Sequence, residues 1–245
     1  PNQDNCSAST FDGSADYLNN DSVGNVGGKQ LTFSCTLKPN NLGSGAMPFN
    51  LGKSTSDGRG FTLEANAPSD IQLRLDSLTT TDNVRISAAP WYGIHAEIGR
   101  NMSVQFSVDL NTLTAKFIVD GVEISIPQPT VNENFHTMNA STVGKIIGEA
   151  GLFNGSIGEV YLNNTYFNLS TDNPFWDSDL GKPNSVRKVI EDTGVTPLIA
   201  LPIMGNDAGN NLGSGGDFTV NSGPFVGARG GSEFWSRSVK FSNAE

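Results

Sequence analysis

Residues 101–110, NMSVQFSVDL, alternate without interruption: Met102, Val104, Phe106, Val108 and Leu110 share one parity, and Ser103, Gln105, Ser107 and Asp109 share the other. A period of two separates these sets onto opposite faces of an extended strand, whereas a helix would mix them. The reading is a half-buried strand, with its apolar face in a core and its polar face in solvent. Downstream, Leu113, Ala115, Phe117 and Val119 repeat the pattern, Asp120-Gly121 interrupts it, and Val122, Ile124 and Ile126 resume it. Asp-Gly between alternating runs predicts a two-residue β-hairpin, because both turn positions need a left-handed backbone.

The same alternation returns at 29–38, 59–65, 71–76, 83–88 and 94–98. Seven or more short strands separated by turn formers predict an all-β, two-sheet antiparallel jelly-roll sandwich. In 151–164, GLFNGSIGEVYLNN, Val160 and Leu162 share one parity and Ile157 has the other, so the inward-facing set changes register around Gly158. A β-bulge there is the simplest way to keep all three in the core. One short helix is predicted over 184–192, with Asn184 as its N-cap and Gly194 just past its end. Turn formers crowd 170–183, STDNPFWDSDLGKP, and divide a sandwich over 1–170 from a C-terminal extension over 171–245. The extension carries two apolar runs, 197–203 and 218–220, around a Gly/Asn-rich stretch. Such a segment buries too little to fold alone, so it is expected to pack on the sandwich or on a neighbouring subunit.

Charge and cysteine usage narrow the function classes. A net charge of −10 with only 15 Lys and Arg is the wrong sign for a surface that tracks phosphates, and nucleic acid is not an expected partner. No apolar run is long enough to predict a membrane-spanning helix. The opening PNQDNCSAST lacks the basic and apolar parts of a secretory leader. Either a leader has been removed or an initiator Met was lost before Pro1; the polar start favours the second reading, and with it synthesis in a cytosol. Cys6 and Cys35 are open to two readings, one disulfide or two small buried thiols.

FDGSADYL (11–18), the strand KQLTFSCTLKP (29–39), VDGVEI (119–124) and LFNGSIGEVYLNN (152–164) together resemble concanavalin A-like jelly rolls of the laminin-G/pentraxin type. The resemblance spans about residues 8–170 and implies that the 152–164 strand returns to pair near the N-terminus. The extension, from FWDSDLGKP (175–183) through TGVTPLIALPIMGNDAGNNLGSGGDFTVNSG (193–223), resembles the segment that follows such domains in tailed-bacteriophage structural proteins. It implies a non-enzymatic virion protein: a capsid decoration, fibre or tail-associated subunit. Its expected partners are other virion proteins and further copies of itself, with host-surface glycans as a second possible ligand. The alternative the same fold implies is a secreted carbohydrate-binding lectin or adhesin.

Candidate residues follow from these readings. Trp91 and Tyr92 lie in a predicted loop, where aromatic rings either stack on sugars or plug the end of the sandwich. Phe175 and Trp176 stand at the entrance of the extension and are expected to anchor its docking interface. The resemblance also implies a rim Ca²⁺ site, for which Asp12, Asp16, Asn20 and Asp21 supply hard oxygen ligands near one corner; otherwise no cofactor is expected. No catalytic set is expected. The Glu-x-Asp-x-x-Glu string of glycosidases on this fold is missing, and Glu149 and Glu159 are a weak substitute for a paired acid and nucleophile. His95 and His136, the two histidines, fit no metal or Ser-His-Asp set.

Overall fold

The structure, a computed structural model, describes residues 6–41, 46–53, 57–66, 70–75, 84–87, 99–135, 138–145, 152–204, 207–222 and 227–228. Strands of the N-terminal half are β1 (Ala8–Asp12), β2 (Tyr17–Asn20), β3 (Gln30–Pro39), β4 (Ala46–Lys53), β5 (Asp57–Asn66), β6 (Asp70–Leu75) and β7 (Val84–Ser87). There follow β8 (Met102–Asp109), β9 (Thr114–Val119), β10 (Val122–Ile124), β11 (Ala140–Val143) and β12 (Asn154–Asn163). The extension adds β13 (Trp176–Asp177), β14 (Lys182–Pro183), helix α1 (Val186–Thr193), β15 (Ile199–Leu201), β16 (Thr219–Asn221) and β17 (Gly227–Ala228). The strand expected over 94–98 lies outside the described residues.

Two antiparallel sheets face each other. The first runs β10-β9-β8-β3-β12-β1-β17, with β15 bonded to β12, and the second runs β16-β2-β11-β4-β5-β6-β7. Alternation explains the core between them. Phe33 and Phe106 lie directly opposite each other on β3 and β8. Across the gap, the Phe33 ring is 4.8 Å from that of Phe49 on β4 and 4.9 Å from that of Phe61 on β5, and Phe61 stacks on Phe106 at 6.0 Å. Cys35 is a buried thiol in this layer, and Cys6 is a second buried thiol whose Sγ donates to the Pro183 carbonyl at 3.1 Å.

β12 has the predicted irregularity. Its register against β3 shifts between Gly158 and Tyr161, and Ile157, Val160 and Leu162 are all fully buried. Gly158 lies flat against the Ser7 carbonyl, where any Cβ would overlap it, and Glu159 takes up the turn with φ 49°. Along its other edge β12 pairs first with β1 and then with β15. The strand therefore does return to the N-terminus, and the bulge lies where one partner hands over to the next.

The Asp120-Gly121 hairpin forms with φ of 51° and 76°, joining β9 to β10. Leu113 departs from expectation: it lies in the 110–113 turn with φ 53° and is 37% exposed, because the alternating face begins only at Ala115. The helix is also shifted. Ser185, not Asn184, is the N-cap, its Oγ accepting from Lys188 N–H at 3.2 Å, while the Asn184 amide donates to the Pro174 carbonyl. Gly194 closes the helix at φ 66° by donating to the Ile190 carbonyl.

The larger correction concerns the polar parity of β8. Every residue of this strand is buried, Gln105 completely. The extension and the loop before it run across that face. Ser107 Oγ donates to the Phe167 carbonyl at 2.7 Å, Thr32 Oγ1 donates to the Thr165 carbonyl and accepts from Phe167 N–H, and Asn173 Nδ2 donates to Gln105 Oε1 at 2.7 Å. Over them Tyr161, Leu169, Phe175, Val186 and Val189 form a second apolar cluster. Farther along, Ile199, Leu201, Ile203 and Phe218 enter the main core. The extension thus packs on its own sandwich and contributes strands to both sheets.

Phe106 makes the sharpest test of the core assignment. Phe106→Ala is expected to lower the free energy of unfolding by about 3–5 kcal/mol, measured by urea denaturation; a loss under about 1 kcal/mol would contradict the assigned inward face.

Candidate functional site

Of the four oxygen-ligand candidates, the structure brings two together. Asp12 closes the turn after β1: its Oδ1 accepts from the backbone N–H groups of Ser14, Ala15 and Asp16 at 2.8, 2.9 and 3.2 Å, and Asp16 Oδ2 accepts from Asp12 N–H at 3.1 Å. The Ser14 hydroxyl and these N–H groups hold the Asp12 carboxyl well below the usual carboxylate range. Burial, joined by the charge of Asp12, pushes Asp16 up against the Asp12 N–H that pulls it down. Asn20 and Asp21 stand at the other end of β2, about 13 Å away for four extended residues. Asn20 is committed there: its Nδ2 reaches the carbonyls of Gly215, Gly216 and Asp217 at 2.9–3.1 Å, and its Oδ1 accepts from Ser22 N–H. The expectation of one four-residue corner is corrected accordingly, since a single ion cannot reach all four. Among the described residues no three His, Cys, Asp or Glu side chains converge as a metal site.

The aromatic pair of the extension is turned inward. Phe175 is 2% exposed, with its ring edge-on to Tyr161 at 4.9 Å and to Phe167 at 6.1 Å. The Trp176 indole lies on Gly121, where a Cβ would collide with it. Both side chains therefore fasten the extension to its own sandwich. Trp91, Tyr92, His95, His136 and Glu149 lie outside the described residues.

Glu159 sits in the interior at the β12 bulge. Its Oε1 accepts from Ser7 N–H at 2.6 Å, and its Oε2 accepts from Val186 N–H at 2.7 Å, the first turn of α1. Burial pushes this carboxyl up to about 7, with the Val186 and Ser7 donors pulling the other way. A pKa near neutrality in a cleft would suggest an acid catalyst. Here the group is sealed beneath α1 and the N-terminal strand, so no substrate reaches it.

A different group of side chains faces solvent. Leu18 is buried under the second sheet, so its neighbours Tyr17 and Asn19 point outward. The register continues a polar row across that face: Thr219 opposite Asn19, Asn19 opposite Thr142, Thr142 opposite Asn50, and Asn50 opposite Thr62. At its β4–β5 end the row is closed over, with Asn50 fully buried and its Nδ2 donating to Thr62 Oγ1 at 2.9 Å. At its β2–β16 end the row opens. There Asn221 pairs with Tyr17, the Asn221 amide donates to Asn19 Oδ1, and the Lys145 ammonium lies 4.4 Å from the centre of the Tyr17 ring. Tyr17, Asn19, Lys145 and Asn221 are half-buried and Thr219 is exposed.

This rim combines an aromatic ring, a cation held over it, two carboxamides and a hydroxyl on an open surface. Such groups offer donors and acceptors side by side, the complement of a polyhydroxylated ligand. Sequence reasoning passed it over. Residues 17–20 are too few to show a period, and their pairing partner lies some two hundred positions away in a segment whose strand is three residues long.

The sequence matches no described protein family and no curated protein. Solved structures do match in shape. A native heptameric SAP-like pentraxin from Limulus polyphemus superposes with a TM-score of 0.52 at 15% identity, over 71% of this chain and 82% of the pentraxin. A candidate carbohydrate-binding protein from Bacteroides ovatus superposes with a TM-score of 0.51 at 11% identity, over 69% of this chain and 46% of the other. These likenesses establish the fold alone, a concanavalin A-like two-sheet sandwich.

The tie between Asn20 and the 215–217 backbone generates its own test. Asn20→Ala removes the amide that serves three carbonyls and is expected to cost about 1–3 kcal/mol, read from denaturant midpoints. A change below about 0.5 kcal/mol would show that solvent replaces the amide.

Proposed function

We propose that the chain is a non-catalytic binding domain that holds carbohydrate at the Tyr17 rim. The observation that carries this reading is the placing of the Tyr17 ring beside the Asn19 and Asn221 amides on the open end of a sheet face. Two further points support it: the fold is shared with a pentraxin and with a candidate carbohydrate-binding protein, and Glu159, whose carboxyl burial pushes up to about 7, is structural rather than accessible. A rim of this kind recognises ligands by hydrogen bonds and ring contact without a deep cavity, which suits sugars presented on a surface.

A narrower proposal places this binding domain in a tailed-bacteriophage particle, as a decoration, fibre or tail-associated subunit. Its support is the resemblance of the extension, together with the strands that fix the extension into both sheets. In that setting its partners are other virion proteins and copies of itself, and its sugars belong to a host surface. Mass spectrometry of purified particles tests this: the chain is expected among the virion proteins, and its absence together with sugar binding would favour a secreted lectin or adhesin.

Glycan-array screening of the full chain, followed by calorimetry on the best ligand, tests the binding proposal itself. Tyr17→Ala and Asn221→Ala are each expected to weaken binding about tenfold or more, equivalent to about 1.4 kcal/mol. A chain that bound no glycan, or a Tyr17→Ala variant that bound as tightly as the parent, would overturn the assignment.

A further inference from the structure

Glu159 joins three elements at the point where β12 changes partner. Besides accepting from Ser7 N–H and Val186 N–H, its carboxyl lies 3.0 Å from Ser7 Oγ, and that hydroxyl is also 2.8 Å from the Pro202 carbonyl. A hydroxyl has one proton to give. When Glu159 is ionised, the Ser7 proton turns to Oε1 and the Pro202 carbonyl loses its side-chain donor. When Glu159 is protonated, the carboxyl donates to Ser7 Oγ and Ser7 donates to the Pro202 carbonyl. The neutral form therefore satisfies the whole chain of groups, and the charged form leaves one short.

The charges around this site are few. Arg187 on α1 favours the ionised form but is exposed. From the N-terminal strand, the Cys6 thiol is itself pushed up, first by burial and then by the charge of Glu159, and Lys182 of β14 pulls it down. Separating α1 and Ser7 from the bulge would hand the carboxyl to water, which solvates its charged form. Ionisation thus favours separation, and protonation favours contact.

We propose that Glu159 and Ser7 form a proton-operated latch that holds the N-terminal strand and helix α1 against the first sheet, closing more tightly in acid than at alkaline pH. The latch stands on the Glu159–Ser7–Pro202 geometry and does not rest on the sugar-binding reading of the opposite sheet.

The sign follows from linkage. The carboxyl of Glu159 titrates near 7 in the folded chain against an ordinary value of 4.5. Its contribution to stability is complete below the ordinary value and is lost as the pH rises through about 7. Urea unfolding of the full chain between pH 5 and 8 reads this directly. The parent midpoint is expected to fall across the range, whereas Glu159→Gln, which keeps the neutral shape, is expected to lose that part of the fall. Other titrating groups move both proteins equally, so parallel curves would overturn the latch. Because the variant can fail to fold, the carboxyl ¹³C resonance of Glu159 in the parent provides a second measurement. A midpoint near 7 supports the proposal and one below 5 overturns it. Ser7→Ala removes the hydroxyl that joins the carboxyl to the Pro202 carbonyl and is expected to shift that midpoint; an unchanged midpoint would remove Ser7 from the latch.

Discussion

The bulge in β12 is the constraint around which the rest of the molecule is arranged. A strand with three partners must change neighbours somewhere, and β12 has β3 along one edge and β1, then β15, along the other. At the exchange point backbone groups are left without a ladder. Glu159 fills that gap with a carboxyl that accepts from the N-terminal segment on one side and from the start of a helix on the other. A buried carboxyl is costly unless hydrogen-bonded, and here the bonds it makes are those that the sheet itself cannot supply. Gly158 makes the approach possible, because any side chain there would drive the Ser7 carbonyl away.

A second consequence concerns the hydroxyl-rich face of the first sheet. Thr32, Gln105 and Ser107 would suit solvent, yet they are covered by a chain that has few regular hydrogen bonds of its own. Backbone carbonyls laid over an apolar sheet would be stranded. Over this one they find the Ser107 and Thr32 hydroxyls as donors, and the apolar cluster around Tyr161 and Phe175 adds the driving force. Polar residues in a strand therefore need not mean an open face; they can be the complement of a covering segment.

Over β3 and β8 the first sheet is covered on both sides, and the open polar row lies on the second. Its polar row is sealed at Asn50 and opens at Asn19 and Thr219, beside Tyr17 and Lys145. The extension supplies half of this rim through Asn221 while also supplying α1 to the latch at Glu159. One segment of chain thus links the Glu159 junction on one sheet to the Tyr17 rim on the other, in keeping with an extension that serves as structure rather than as a separate module.

The sequence by itself determined the sandwich. Alternation over 101–126, the Asp120-Gly121 hairpin and the parity change near Gly158 are local signals, each set by backbone geometry within a few residues, and each appears in the structure. The return of β12 to the N-terminus was legible through resemblance, and even the helix was found, one residue out at its cap. Tertiary structure alone decided which polar faces stay wet, where Phe175 turns, how Asn20 is spent and what Glu159 does. Those outcomes depend on contacts such as Ser7 with Glu159, Gln105 with Asn173 and Tyr17 with Asn221, between residues far apart in the chain. A periodic pattern reports which residues share a face, but only the completed packing says what is laid against that face.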